Sequence, residues 1–304
     1  MRKKIIEVKK LTKKYDSKKS FALDHIDLDI PYGSIFGLLG PNGAGKSTFI
    51  NILSGLTNKT SGSVKVCGID LDLDPKTVKG NIGVVPQEIN IDPFFTPKQI
   101  MDIQSGLYGV EKNQRRNSKI LNELGLSDKE NAYSRSLSGG MKRRLMVAKA
   151  MVHDPPILIL DEPTAGVDVE LRKKLWDSIR KLNKRGVSII LTTHYLKEAE
   201  ILCDQIAVIN DGKVIASDKK RNLLNLLDDK EICIEFNSEI LTIPKKVRKL
   251  CVKKTNKTVT LKFKKSEIST ANIVKTFVDQ KFELKEISTR ETDLEDIFLK
   301  LLKK

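Results

Sequence analysis

The chain has 304 residues and a formal net charge of +16, from 55 basic and 39 acidic residues. With 39% hydrophobic and 31% charged residues it has the make-up of a folded chain with a real core, which excludes collagen-like, coiled-coil and disordered classes. The length predicts one large domain plus an appendage.

Residues 1–40 read as short strands. Ile5–Val8 is one, and Ala22–Ile30 alternates polar and apolar as a half-buried strand does. Pro31-Tyr32-Gly33 turns the chain, and Ser34–Leu39 reads as a buried strand followed by a glycine-rich loop. From Ser47 to Leu53 the spacing of Phe49, Ile50 and Leu53 predicts a helix, with Gly55 as its stop. The stretch 96–152 reads as mostly helical, opened by Thr96 as cap and Pro97 in the first turn. Ile157–Leu160 is a second buried strand. Leu171, Leu175, Ile179 and Leu182 share one face of a helix over 169–185, ended by Gly186 before the strand Val187–Leu191. Ile206–Ile209, Asn210-Asp211-Gly212 and Lys213–Ile215 spell a hairpin. Strands alternating with helices predict an α/β domain with a largely parallel sheet.

Near Lys220 the pattern changes. Ile232, Ile234 and Phe236 alternate with polar neighbours, as do Val259, Leu261 and Phe263. A helix (about 269–280), a strand (about 282–288) and a last helix opened by a Thr292-x-x-Glu295 capping box are expected. Residues 1–220 are therefore expected to form the main domain and 221–304 a small α+β domain with a net charge of 19 − 13 = +6.

The longest apolar runs are strand-sized, well short of the ~20 residues a membrane span needs. Met1–Ile6 is basic without an apolar stretch of signal-peptide length, so a cytosolic position is expected. Cys67, Cys203, Cys233 and Cys251 form no C-x-x-C pair, and reduced thiols are expected rather than a zinc site or disulfide framework. Of the basic residues, 43 are Lys and 12 Arg. Such a surface can meet nucleic acid or an anionic leaflet, but on charge alone a solvated Lys-rich face is the favoured reading.

Gly40-Pro41-Asn42-Gly43-Ala44-Gly45-Lys46-Ser47 matches G-x-x-x-x-G-K-[ST] after a buried strand and at a helix start. Its glycines let backbone N–H groups point at phosphate oxygens, and the helix N-terminus adds partial positive charge. Lys46 is placed to reach the β- and γ-phosphates and Ser47 to ligate Mg²⁺. Asp161 ends the strand 157–160 and can hold the Mg²⁺ shell. Glu162 next to it can polarise an attacking water.

These residues resemble the ATP-binding cassette (ABC) ATPases. Leu137-Ser138-Gly139-Gly140-Met141 is similar to the family signature, with Met141 where Gln is usual. Gln87, in Val85-Pro86-Gln87-Glu88, matches the Q-loop. Ala165–Asp168 resembles the D-loop and His194 the switch histidine, while Tyr15 resembles the aromatic that stacks on adenine. Taken singly, Gln87 reads as a surface amide, His194 as a structural histidine and Tyr15 and Trp176 as packing residues. The order of the motifs across 15–194 reverses that for Gln87 and His194.

The resemblance implies a P-loop NTPase fold with a RecA-like core, an antiparallel β subdomain and a helical signature subdomain over about 88–152. It implies ATP and Mg²⁺, with Tyr15, the loop from Gly40 to Ser47 and Thr48 on the nucleotide. Ser47, Gln87 and Asp161 would hold the metal, and Glu162, His194 and Gln87 would serve hydrolysis. Ser138, Gly139, Gly140 and Asp168 would act across a homodimer, on the partner's ATP. The run from Leu137 to Leu145 with Lys142, Arg143 and Arg144, Tyr195-Leu196 and the chain end Asp293–Phe298 resemble the ABC-2-type exporter branch. That implies a separate transmembrane permease, a peripheral place on the cytoplasmic face of the plasma (inner) membrane, and no specific nucleic acid. The exposed-looking Phe94-Phe95 pair is either the permease contact or core. The alternative is a non-transport ABC ATPase acting on nucleic acid or ribosomes, and a third class is a pseudo-enzyme that only binds ATP.

Overall fold

In the computed structural model, which describes residues 3–16, 20–226 and 228–302, the chain begins with two long antiparallel strands, β1 (Lys4–Lys14) and β2 (Phe21–Pro31). Met1 and Arg2, part of the basic start, lie outside the described residues. Both strands are longer than the short ones expected. Register shifts along β1 re-aim its side chains, so Ile5, Ile6, Val8 and Leu11 all turn inward although they do not alternate in sequence. β4 (Ser61–Val66) and β5 (Ile69–Asp70) complete this sheet in the order β2-β1-β4-β5.

β3 (Ile35–Leu39) leads into α1 (Lys46–Leu53), and after β5 come α2 (Pro75–Gly80) and β6 (Ile82–Val85). The helical segment holds α3 (Pro97–Leu107), α4 (Asn117–Glu123) and α5 (Gly139–Ala150). Thr96 and Gln99 cap α3 reciprocally, and Ser138 caps α5 by accepting from the Met141 N–H at 3.3 Å. β7 (Ile157–Asp161), α6 (Val169–Lys184), β8 (Ser188–Thr193), α7 (Leu196–Leu202), β9 (Gln205–Asn210), β10 (Lys213–Lys219) and α8 (Lys220–Leu224) follow.

The strand order β10-β9-β3-β8-β7-β6 is parallel from β9 to β6, with β10 antiparallel at the edge. β3, β7 and β8 are buried on both faces, so they read as continuous apolar runs rather than alternating ones. Because β3, β8, β7 and β6 are parallel neighbours, the loops that leave their carboxyl ends all emerge on one side. Those loops carry Gly40–Lys46, His194, Glu162 and Gln87, and open α/β sheets bind ligands there.

The chain divides into two compact units at Lys220/Arg221. In the second, β11 (Asp229–Phe236), β12 (Cys251–Lys254), β13 (Thr258–Lys264) and β14 (Leu284–Glu291) form an antiparallel sheet ordered β12-β13-β11-β14, with α9 (Thr270–Val278) and α10 (Leu294–Leu302). Ile232, Ile234 and Phe236 pack with Val259, Leu261 and Phe263 against Ile273 and Phe277 of α9, an independent core. The expected Thr292-x-x-Glu295 box is displaced by one residue. Asp293 accepts from the Asp296 N–H at 3.0 Å and Asp296 accepts from the Asp293 N–H at 3.3 Å, while the Thr292 hydroxyl donates to the Asp229 carbonyl at 2.7 Å. A backbone carbonyl of β11 takes the hydroxyl that the local pattern assigned to the helix end.

Candidate nucleotide site

The phosphate loop is shaped by close backbone packing. A Cβ at Gly40 would lie 2.3 Å from the Ile209 carbonyl oxygen. Gly45 has φ +112°, and a Cβ there would lie 2.6 Å from the Ala22 carbonyl oxygen, so both conformation and space require glycine. Lys46 begins α1 with its side chain buried. Its Nζ donates to the carbonyls of Gly40 at 2.7 Å and Pro41 at 3.0 Å, inside the curl of the loop. Burial lowers the Lys46 pKa, and the carboxylates of Glu162 and Asp161 push it back.

The other half of the site lies at the ends of β7 and β8. The Thr192 hydroxyl donates to Asp161 Oδ1 and accepts from the Glu162 N–H at 3.1 Å. Glu162 has φ +49°, a left-handed backbone uncommon for a non-glycine residue, and its side chain is buried. The His194 Nδ1–H donates to Glu162 Oε2, while most of the imidazole stays exposed.

A cleft of about 480 Å³ gathers these groups: Tyr15, Asn42, Gly43, Gly45, Lys46, Ser47, Thr48, Gln87, Asp161, Glu162 and His194 all line it, with Ser20, Phe21 and Ala22. Gly40 and Pro41 reach the site through their carbonyls. Tyr15 is half-buried, with Lys13 Nζ 4.7 Å from its ring centre. Ser138, Gly139, Gly140 and Asp168 do not line the cleft. Ser138 and Gly139 are exposed at the start of α5, Gly140 is buried against Leu171, and Asp168 is exposed before α6.

Three features were missed in the sequence. Thr192 bridges Asp161 and Glu162, and its signal was a polar residue ending the apolar run Ile189–Leu191. Ser20–Ala22 lie at the cleft because β2 runs past it. Arg143 reads in the sequence as part of a basic run, yet it is buried, with its guanidinium donating to the Pro86 and Gln87 carbonyls at 2.9 Å each. Phe94 and Phe95, for which core was one reading, are 70% and 39% exposed.

A phosphate loop between a central parallel strand and a helix, facing a strand that ends in Asp161-Glu162, defines a P-loop nucleoside triphosphatase. The sequence profile of the ABC transporter family matches residues 23–165. The Daunorubicin resistance ATP-binding protein DrrA2 of Streptomyces coeruleorubidus is 33% identical over 305 residues, covering 97% of this chain and 94% of the relative, an alignment that includes most of the second unit. The Nod factor export ATP-binding protein I of Cupriavidus pinatubonensis is 37% identical over 241 residues, covering 79% of this chain and 74% of that one. Among solved structures, an ATP-binding subunit of an ABC transporter superposes with TM-score 0.65 at 27% identity, covering 73% of this chain and 92% of the other. A dimeric post-hydrolysis state of the cassette MJ0796 bound to ADP and Pi gives 0.62 at 28%, covering 70% and 98%. The chain belongs to the ABC transporter family, as an ATP-binding subunit of the ABC ATPase class.

Proposed function

We propose that this chain hydrolyses ATP in a head-to-tail pair and so drives a separate membrane-spanning permease of an exporter. The observation that carries the reading is the convergence of Lys46, Ser47, Gln87, Asp161, Glu162 and His194 on one cleft at the carboxyl side of the parallel sheet.

In this reading Lys46 exchanges the carbonyls of Gly40 and Pro41 for β- and γ-phosphate oxygens, and the loop N–H groups from Asn42 to Thr48 cradle the phosphates. Tyr15 stacks on the base. The donor set fits Mg²⁺, since the Ser47 hydroxyl, the Asp161 carboxylate and the Gln87 amide all offer oxygen. Bound there, the ion would neutralise charge on the triphosphate. Glu162 orients the attacking water and takes its proton as the water oxygen bonds to the γ-phosphorus. The bond from that phosphorus to the ADP oxygen breaks, giving ADP and phosphate. Gln87 orients the same water, and His194 holds the Glu162 carboxylate through Nδ1.

Ser138 and Gly139 form an exposed helix start outside this chain's own cleft, with Gly140 buried behind them, which supports the use of this segment on the γ-phosphate of a second protomer. Asp168, exposed before α6, is given the same role across the pair. Two nucleotides would then hold the dimer closed, and hydrolysis would open it. One relative is named for Nod factor export and another for daunorubicin resistance, and in this reading the choice of cargo is assigned to the permease. No described helix is long and apolar enough to cross a membrane. With the permease as its partner, the chain works in this reading peripherally, at the cytoplasmic face of the inner membrane, with Phe94 and Phe95 offered to the permease. Residues 221–304 are assigned a regulatory or dimer-supporting role.

The test is Mg²⁺-dependent phosphate release by the purified chain, beside Lys46→Ala. The expected result is turnover that the variant loses; equal turnover in both would refute the site.

A further inference from the structure

Arg143 is 2% exposed and heads the largest fully buried side chains of the described residues. It stands on α5, five residues after Ser138. Its Nη1 donates to the Pro86 carbonyl at 2.9 Å, and its Nη2 donates to the Gln87 carbonyl at 2.9 Å and, over a longer 3.4 Å, to the Glu162 carbonyl. One side chain therefore joins three segments far apart in sequence: the helix that starts with the signature, the loop bearing Gln87 and the turn bearing Glu162.

Both loops it holds need an outside anchor. From Pro86 to Thr96 the chain forms neither strand nor helix. Glu162 sits in a left-handed backbone conformation, which persists only where its surroundings hold it. The planar guanidinium fork reaches two carbonyls at fixed angles, which an ammonium cannot reproduce. The charge is costly to bury. Desolvation lowers the Arg143 pKa, and Asp161 and Glu198 are the negative groups that oppose it. The Nε has no hydrogen-bond partner. A buried cation tied to the backbone beside two groups assigned to hydrolysis is an expensive way merely to fill a core.

We propose that Arg143 is a positioning residue for hydrolysis, resting on the ATPase reading above: it fixes the Gln87 loop to the Glu162 turn and ties both to the signature helix. Movement of α5, by a partner nucleotide at Ser138–Gly140, is thereby felt at Gln87 and Glu162. Arg143 does not touch the nucleotide; it acts through the backbone of the two residues assigned to the attacking water.

The test uses the full chain with Arg143→Met, Arg143→Lys and Lys46→Ala. Radiolabelled ATP binding, steady-state turnover, thermal midpoint and amide hydrogen exchange of the nucleotide-free protein are measured for each. In Arg143→Met, kcat is expected to fall about 100-fold, the scale of a catalytic group displaced by about 1 Å, while ATP affinity stays within about twofold. Arg143→Lys keeps the charge but not the fork and is expected to fall between wild type and Arg143→Met. Exchange should rise at the Gln87–Ile91 amides in Arg143→Met, with the rest of the first unit unchanged. Wild-type kcat in Arg143→Met would overturn the proposal. So would parallel loss of binding, turnover and thermal midpoint with exchange raised throughout the first unit, the signature of a purely structural residue. Lys46→Ala keeps the two readings apart. If it binds and turns over ATP like wild type, the nucleotide site is wrong, whereas local exchange at Gln87–Ile91 still judges the Arg143 anchor.

Discussion

His194 and Glu162 stand at the ends of the adjacent parallel strands β8 and β7, and the His194 Nδ1–H donates directly to Glu162 Oε2. The carboxylate is buried and the imidazole mostly exposed, so the pair joins the interior of the cleft to its rim. Glu162→Gln keeps a side chain of the same shape but removes the proton acceptor. It should retain ATP binding and lose about 10²–10⁴ in turnover, the usual scale for a general base. An ATP-bound dimer should then accumulate on gel filtration. A variant that stays monomeric with saturating ATP would contradict the head-to-tail pair.

Gly45→Ala should abolish ATP binding while the far-ultraviolet circular dichroism spectrum stays that of wild type. The left-handed conformation costs a non-glycine residue about 1–2 kcal/mol. At Gly45 the new Cβ would also lie 2.6 Å from the Ala22 carbonyl oxygen and 2.8 Å from Leu23 Cδ2. Gly43 also has positive φ, +82°, but open space around it, so Gly43→Ala bears the conformational cost alone and should bind ATP more weakly without losing it. Equilibrium dialysis with labelled ATP ranks the two, and equal affinities would show that the Ala22 contact does not matter.

Every residue lining the cleft precedes residue 195, and the second unit has its own core under α9. A chain ending at Lys220 should therefore bind ATP with an affinity within about threefold of the full chain, well under 1.4 kcal/mol, while any loss falls on ATP-driven dimerisation. Dialysis and analytical ultracentrifugation of both forms check this. Loss of nucleotide binding would show that the second unit contributes to the site.

The phosphate loop and the Asp161-Glu162 strand end were readable because their chemistry is local: a turn of glycines, a lysine, and a carboxylate after four apolar residues. Gln87 and His194 were readable only through the order of the motifs, since an exposed amide and a histidine have no local signature. Arg143 and Thr192 were not assigned a role because each works by reaching another segment, 57 and 31 residues away in sequence. The Thr292 pattern failed for the same reason, since the β11 carbonyl competes for the hydroxyl and Asp293 takes over the cap. β1 was underestimated because its register shifts break the period-2 rule.

His153 offers a pH test away from the cleft. Its ring stacks on Tyr108 with centroids 3.7 Å apart and planes 4° apart, and burial lowers its pKa. A base held neutral in the fold takes up its proton more readily when unfolded. The contribution of His153 is therefore fully present above the unfolded value near 6.5 and is lost as pH falls through that value toward the lower folded one. Wild type should lose thermal midpoint between pH 7.5 and about 5.5, and His153→Phe, which keeps a ring for Tyr108, should lose less over the same range. Identical pH slopes would mean that folding leaves the proton affinity of the imidazole unchanged.

Glu198 gives the opposite sign. It is fully buried, its Oε1 accepts from Trp176 Nε1 at 2.8 Å, and its Oε2 has no partner within hydrogen-bond reach. Burial raises its pKa, against the Trp176 hydrogen bond, the nearby Thr193 and Thr164 hydroxyls and the charge of Arg172. An acid whose folded pKa lies above its unfolded value contributes stability that is present below the unfolded value and is lost as pH rises through the folded one. Glu198→Gln removes that titration and still offers an oxygen to Trp176. Its thermal midpoint should exceed that of wild type by more at pH 8 than at pH 5. Glu198→Leu leaves the indole N–H buried without an acceptor and should cost about 1–3 kcal/mol at either pH. If Glu198→Gln is instead destabilising at pH 8, the carboxylate is ionised in the fold and serves as the counter-charge to Arg172 and Arg143, whose buried guanidinium it also faces.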